Sequence, residues 1–248
     1  MRPFSMMMPL IMPTALILSG QADAEDPTGL VTVYETSEHG EFSDQEQNRI
    51  TAILTETHTL VQGLMPDLSD DVTVTITPVD WPLEAVGGVT GRADAPGDIK
   101  LQISNSYPGG ISGALEEGLA PAFIHELHHL VRGWTINENQ FGPGIQTAAI
   151  NEGMAVVFSE TVSGKHYPGN ASPEDAVEWA GEIHTLPLNA DYYQWMFDHP
   201  DGRQAVGYRT GAYIIREAMD VSDQTIVELS EMSPEEVWTL IGYPPEEG

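Results

Sequence analysis

The stretch "FIHELHHLVRGW", residues 123–134, places three histidines and a glutamate within five consecutive positions of a chain that holds eight histidines in all. It contains H-E-x-x-H at His125, Glu126 and His129. On an α-helix, residues four apart are offset by only about 40°, so His125 and His129 project from one face and can share one ion. Glu126 lies at the edge of that face, where its carboxylate reaches a water on such an ion without becoming a ligand. Leu127 is turned about 200° from His125. With Phe123, Leu130 and Val131 it forms an apolar stripe, which predicts a helix buried on one side and presenting ligands on the other.

Two histidines need a third partner, because a catalytic zinc site generally uses three protein ligands and leaves one position for water. A metzincin-like continuation needs glycine at 132 and histidine at 135, where the chain has Arg132 and Thr135. The alternative is a glutamate on a second helix. "AINEGMAVV" supplies Glu152, 27 positions after His125 and beyond a loop containing Gly142, Pro143 and Gly144. Gly153 and Ala155 are small and predict close approach of the two helices, while Ile150, Met154 and Val157 are expected to face the core. His125, His129 and Glu152 together make the thermolysin-type zinc set. The chain has no cysteine, so a metal site must draw on His, Asp or Glu, and disulfides are excluded.

The 248 residues are enough for one large domain with a substantial core. Residues 1–24, "MRPFSMMMPLIMPTALILSGQADA", combine Arg2, an apolar run from Met6 to Leu18 and the ending Ala22-Asp23-Ala24. They read as a cleaved signal peptide, predicting an exported protein, periplasmic or extracellular, whose mature domain is residues 25–248. The run is shorter than the ~20 residues of a spanning helix, and no later segment is long and apolar enough, so no membrane span is expected in the mature chain. Nine Lys and Arg against 38 Asp and Glu leave a formal charge of −29. Such a field repels phosphates and argues against nucleic acid as a partner. Nothing in the sequence specifies an oligomeric state.

The pattern predicts an α+β fold. Residues 25–110 hold the sheet-rich part: strands over 30–36, 71–79 and 97–104, and a helix opening at the Ser43/Glu46 capping box. His58 falls in that helix, where a surface or packing role is expected. The glycine-rich "GGVTGRADAPG" before the last strand reads as a turn or flexible loop. Residues 111–248 are expected to be mainly helical. "ALEEGLAPAFIHELHHLVR" forms one helix, or two meeting at Pro121. "IQTAAINEGMAVVFSETVSG" is closed by Gly164, and "SPEDAVEWAGEIHTL" starts with Ser172 as N-cap. "SPEE" near the end is another helix start, and "DHPDG" (198–202) reads as a turn. Trp134, Trp179, Trp195 and Trp238 are assigned to packing.

"HELHHLVRGW … INEGMAVVF … GYRTGAYII" resembles a bacterial family of predicted zinc-dependent proteases known as a domain of unknown function, similar in ligand pattern to the gluzincins. The resemblance spans about residues 85–220 and is most specific over 122–160. It implies a zincin-like fold, with the H-E-x-x-H helix beneath a sheet whose edge strand lines the substrate cleft, zinc on His125, His129 and Glu152, and Glu126 as base. In such a site zinc lowers the pKa of bound water towards about 7 and polarises a carbonyl. Glu126 then shuttles the proton to the leaving amine. A donor is also needed for the oxyanion: Tyr208 is the first candidate, Tyr213 the second, with His184 or His199 as substitutes. His128, turned about 100° from His129, is expected to act behind the ligands or towards substrate.

The expected function is thus an exported zinc metallopeptidase acting on a peptide or protein substrate. Two alternatives stand beside it: a non-catalytic zinc- or peptide-binding protein on the same scaffold, and a zinc amidase cleaving a non-protein amide. The intact Glu126 favours catalysis, since a structural zinc has four protein ligands and no use for that carboxylate.

Overall fold

The computed structural model describes residues 29–243. The signal peptide expected over residues 1–24 lies outside them. Strand β1 (Leu30–Tyr34) leads through helix α1 (Asp44–Leu64) to β2 (Val72–Val79), and the hairpin of β3 (Val89–Ala95) and β4 (Asp98–Ser104) completes a four-stranded sheet. Its order is β1-β2-β4-β3. β1–β2 and β2–β4 are parallel and β3–β4 antiparallel, so the sheet is mixed and the architecture α+β. Alternation puts Val72, Val74, Ile76, Ile99, Leu101 and Ile103 on one buried face. That face packs on Ile50, Leu54 and Val61 of α1 and on Phe123 and Leu127. α1 starts at the expected capping box, and His58 within it is fully buried, a packing residue.

The segment expected to be a loop is instead strand β3, at the edge of the sheet. Its turn signals are real but flank the strand. Gly87 and Gly88 (φ +77° and +86°) precede it and Gly97 (φ +75°) turns the hairpin, while pairing with β4 holds the residues between. Propensity alone misreads such a segment, because strand formation depends on the partner it meets.

The helical half comprises α2 (Gly110–Ala114), α3 (Ala120–Arg132), α4 (Ile145–Ser163), α5 (Ala176–His184), α6 (Tyr192–Met196), α7 (Val206–Ser222), α8 (Ile226–Leu229) and α9 (Pro234–Leu240). α2 and α3 are joined without a break by one π-helical turn, Leu115–Leu119. Pro121 has no N–H for the carbonyl of Glu117 four residues back, and its ring crowds that carbonyl. The wider turn relieves the crowding, and the freed Glu117 carbonyl accepts the Tyr167 hydroxyl at 2.5 Å.

Every residue of α4 from Ala148 to Glu160 is buried, which makes it the central helix of this half. Its polar residues are accordingly partnered: Ser159 donates to the Pro121 carbonyl at 2.7 Å, and Glu160 accepts from Arg216 at 2.6 Å. Ile150, Met154 and Val157 face the core as expected. Gly153, however, serves a different contact from the one anticipated. A Cβ there would lie 2.2 Å from the carbonyl carbon of Gly211, so it admits α7 rather than α3.

α5 also departs from expectation. It begins at Ala176, and Ser172 instead accepts from Arg216 Nη1 at 3.1 Å, a tertiary partner outbidding the cap. Ser233 caps α9 as expected, and 198–202 is a turn closed by a bridge between Asp198 and Gln204. Among the described residues no helix is long and apolar enough to cross a membrane.

Candidate metal centre

His125 and His129 stand one turn apart on α3, and α4 brings Glu152 against both. The two Nε2 atoms are 2.9 Å apart, and Glu152 Oε2 lies 3.2 Å from each. These residues form the one such group of potential metal ligands among the described residues. Two imidazole nitrogens and a carboxylate oxygen so close repel one another unless a proton or a cation lies among them. Tetrahedral bonds of about 2.0–2.1 Å set neighbouring ligand atoms roughly 3.3 Å apart, so the separations fit a zinc-sized ion. The His125 side chain is 18 % exposed, against 5 % and 7 % for His129 and Glu152, so the group opens to solvent on the His125 side.

The Glu152 carboxylate is held from both ends. Oε2 faces the histidines while Oε1 accepts the indole N–H of Trp134 at 3.0 Å. Burial disfavours its charge, but His129 and His125 outweigh burial and hold its pKa well below the ordinary carboxylate value. One residue earlier on α4, Asn151 accepts from Arg132 Nε at 3.0 Å. Arg132 is itself buried, donates to the carbonyls of Ser230 and Met232, and stacks over Phe141. Burial lowers its pKa to about 10 and leaves it cationic at neutral pH.

Glu126 is buried between α3 and β3. Burial pushes its pKa up to about 8; Glu152 adds to the rise, and His125 and the Ala93 backbone oppose it. Its Oε2 has no hydrogen-bond partner, a buried polar atom left for something outside the protein.

Tyr208, on the first turns of α7, faces the same site. Burial and then the Glu152 carboxylate raise its pKa well above the ordinary tyrosine value, so it remains a protonated donor. Tyr213 does not: its neighbours are Glu217 and Tyr243. His184 stacks on Trp238 and Tyr243, and His199 lies against Trp195 with Nδ1 2.8 Å from Asp201, so neither joins the cluster. His128 is turned into the protein, its Nε2 2.8 Å from Ser230 Oγ and its ring 5.1 Å from Phe158. It ties α3 to Ser230 at the end of α8.

Three contributions are not legible in the sequence. Trp134, expected only to pack, reaches Glu152 with its indole N–H. β3, a loop by its glycine content, supplies the wall against Glu126. Tyr192 on α6 feels Glu152 as well: burial and that carboxylate raise its pKa. The "RGW" at the end of α3 was the available signal for Trp134, since a glycine at a helix end turns the next residue back over the last turn. No curated protein and no solved structure matches the chain. A family model does match residues 50–239, a span that holds every residue of the site: the chain belongs to the family described as Predicted Zn-dependent protease (DUF2268).

Proposed function

We propose that the protein is an exported zinc metallopeptidase of zincin-like fold that cleaves peptide bonds, with His125, His129 and Glu152 as zinc ligands, Glu126 as general base and Tyr208 as oxyanion donor. The observation that carries this reading is the convergence of three ligand atoms beside a buried carboxylate with an unpartnered oxygen. The family description supports zinc and proteolysis. Export rests on the sequence of residues 1–24, and the zincin-like fold on a helix bearing the ligands packed beside the edge strand of a mixed sheet.

Zinc, when bound, supplies Lewis acidity to a water and to the scissile carbonyl. The chain supplies the rest. Glu126 takes a proton from water and passes it to the departing amine. The Tyr208 hydroxyl donates to the oxygen that gains charge as the carbonyl becomes tetrahedral. Beside it, Phe197 lies 6.0 Å from the Tyr208 ring and 6.3 Å from the Tyr192 ring, an aromatic wall for substrate side chains.

The test is zinc content and hydrolysis of an unbiased peptide library for wild type and Glu126→Gln. The expected outcome is one zinc in each and turnover in the wild type alone. Zinc in both with turnover in neither would replace the peptidase with a binding protein.

A further inference from the structure

We infer that Trp134 is a positioning residue that confines Glu152 to one-oxygen ligation, a role resting on the metal-site reading above. An indole N–H is a donor only, so the 3.0 Å bond from Trp134 to Glu152 Oε1 has a fixed sense. With Oε1 engaged, Oε2 alone faces His125 and His129. A carboxylate free at both oxygens can swing to bidentate binding and fill the position a water needs. The Trp134 bond opposes that swing.

The placement of Trp134 follows from how α3 ends. Gly133 adopts the left-handed conformation (φ 64°, ψ 31°), its N–H bonds the Leu130 carbonyl at 3.1 Å, and the Trp134 N–H bonds the His129 carbonyl at 2.9 Å. This is a Schellman ending, available to glycine without strain. It ties the backbone of Trp134 to that of a metal ligand on the same helix. The Trp134 side chain then grips the ligand on the other helix. The Arg132–Asn151 bond lies alongside, so two neighbouring rungs, 132 to 151 and 134 to 152, set the register of α3 against α4. The indole ring packs against the core, which restricts its rotation.

Trp134→Phe keeps a ring in the same place and removes the donor. Zinc affinity is to be measured by competition with a chromophoric chelator, and the thermal midpoint of the metal-free protein alongside. Loss of an outer partner of a ligand is expected to weaken zinc binding about 10–100-fold, while loss of one buried hydrogen bond lowers the metal-free midpoint without unfolding the protein. Wild-type binding with the variant within about twofold of it would overturn the role of Trp134 while leaving the metal site intact; a wild type that binds no zinc would overturn both. A second measurement needs no variant. In wild type labelled with ¹⁵N-tryptophan, one of the five indole N–H signals is expected to shift on adding zinc, and five unmoved signals would contradict the proposal.

Discussion

Gly91 of β3 and Glu126 of α3 are in contact across the strand–helix interface. A Cβ added at Gly91 would lie 2.7 Å from Glu126 Cγ, 2.8 Å from its Oε1 and 2.8 Å from Leu101 Cδ2. The bare backbone at 91 is what lets the carboxylate lie between the edge strand and the ligand-bearing helix. A position that reads as a turn residue in the sequence is thus part of the wall of the site.

Gly91→Ala is therefore expected to displace Glu126. The collision costs about 1–3 kcal/mol. It outweighs the roughly 0.4–1 kcal/mol that alanine gains by ordering the unfolded chain less expensively. If Glu126 is the base, turnover should fall about tenfold to a hundredfold from its misplacement, with zinc content retained because none of the three atoms nearest a Cβ at 91 belongs to His125, His129 or Glu152. Unchanged urea stability together with unchanged hydrolysis would show that Glu126 does not depend on this gap.

Gly211→Ala should be far more damaging. A Cβ there would lie 1.8 Å from the Ala149 carbonyl oxygen, backbone against backbone with no flexible group to yield. α4 and α7 must then separate, at a cost at or above the roughly 1–3 kcal/mol usual for overpacking. Tyr208 rides on α7 and moves with it. Chemical denaturation measures the loss; a variant as stable as wild type would mean the two helices do not cross at this point in solution.

Tyr208→Phe removes one donor while preserving the ring. If that hydroxyl serves the oxyanion, kcat falls about 10²–10³-fold, or roughly 2.7–4 kcal/mol, and zinc affinity stays as it was. Tyr213→Phe, altered on the side facing Glu217 and Tyr243, should leave kcat unchanged. Equal kinetics for both variants would remove Tyr208 from the mechanism.

Asp94 at the end of β3 pairs with Arg92 at 2.6 Å and Lys100 at 2.9 Å. Burial raises its pKa, but the two cations outweigh burial, and the net shift is below the ordinary 3.8. A carboxyl with a depressed folded pKa contributes stability that is complete above its unfolded value and lost as pH falls through its folded value. Both cations are about half exposed, 53 % for Arg92 and 41 % for Lys100, so the contribution should stay under about 1 kcal/mol. Asp94→Asn should accordingly be less stable than wild type at pH 7, with the gap closing below about pH 4. Urea melts at pH 7 and pH 3 decide this, and a gap that widens in acid would refute it.

The sequence by itself determined that His125 and His129 share one face of α3 and singled out Glu152 as the distant residue that meets them. H-E-x-x-H spacing is a local matter of helical geometry, and Glu152 stood out because a catalytic zinc site needs a third ligand and the adjoining helix offered one. The strand segments β1, β2 and β4, α1 and its capping box, and the closure of α4 at Gly164 were legible for the same reason: each depends on neighbours within a few positions. What the tertiary structure alone decided were relationships between segments far apart in the chain. β3 is a strand because β4 lies beside it, although its glycines suggest a loop. Gly153 admits α7, Ser172 gives its cap to Arg216, and His128 anchors Ser230. Trp134 joins the site because one indole N–H meets one carboxylate oxygen across two helices. A side chain's spacing fixes which face of its own element it occupies, but its partner is set by packing, and packing is a property of the whole chain.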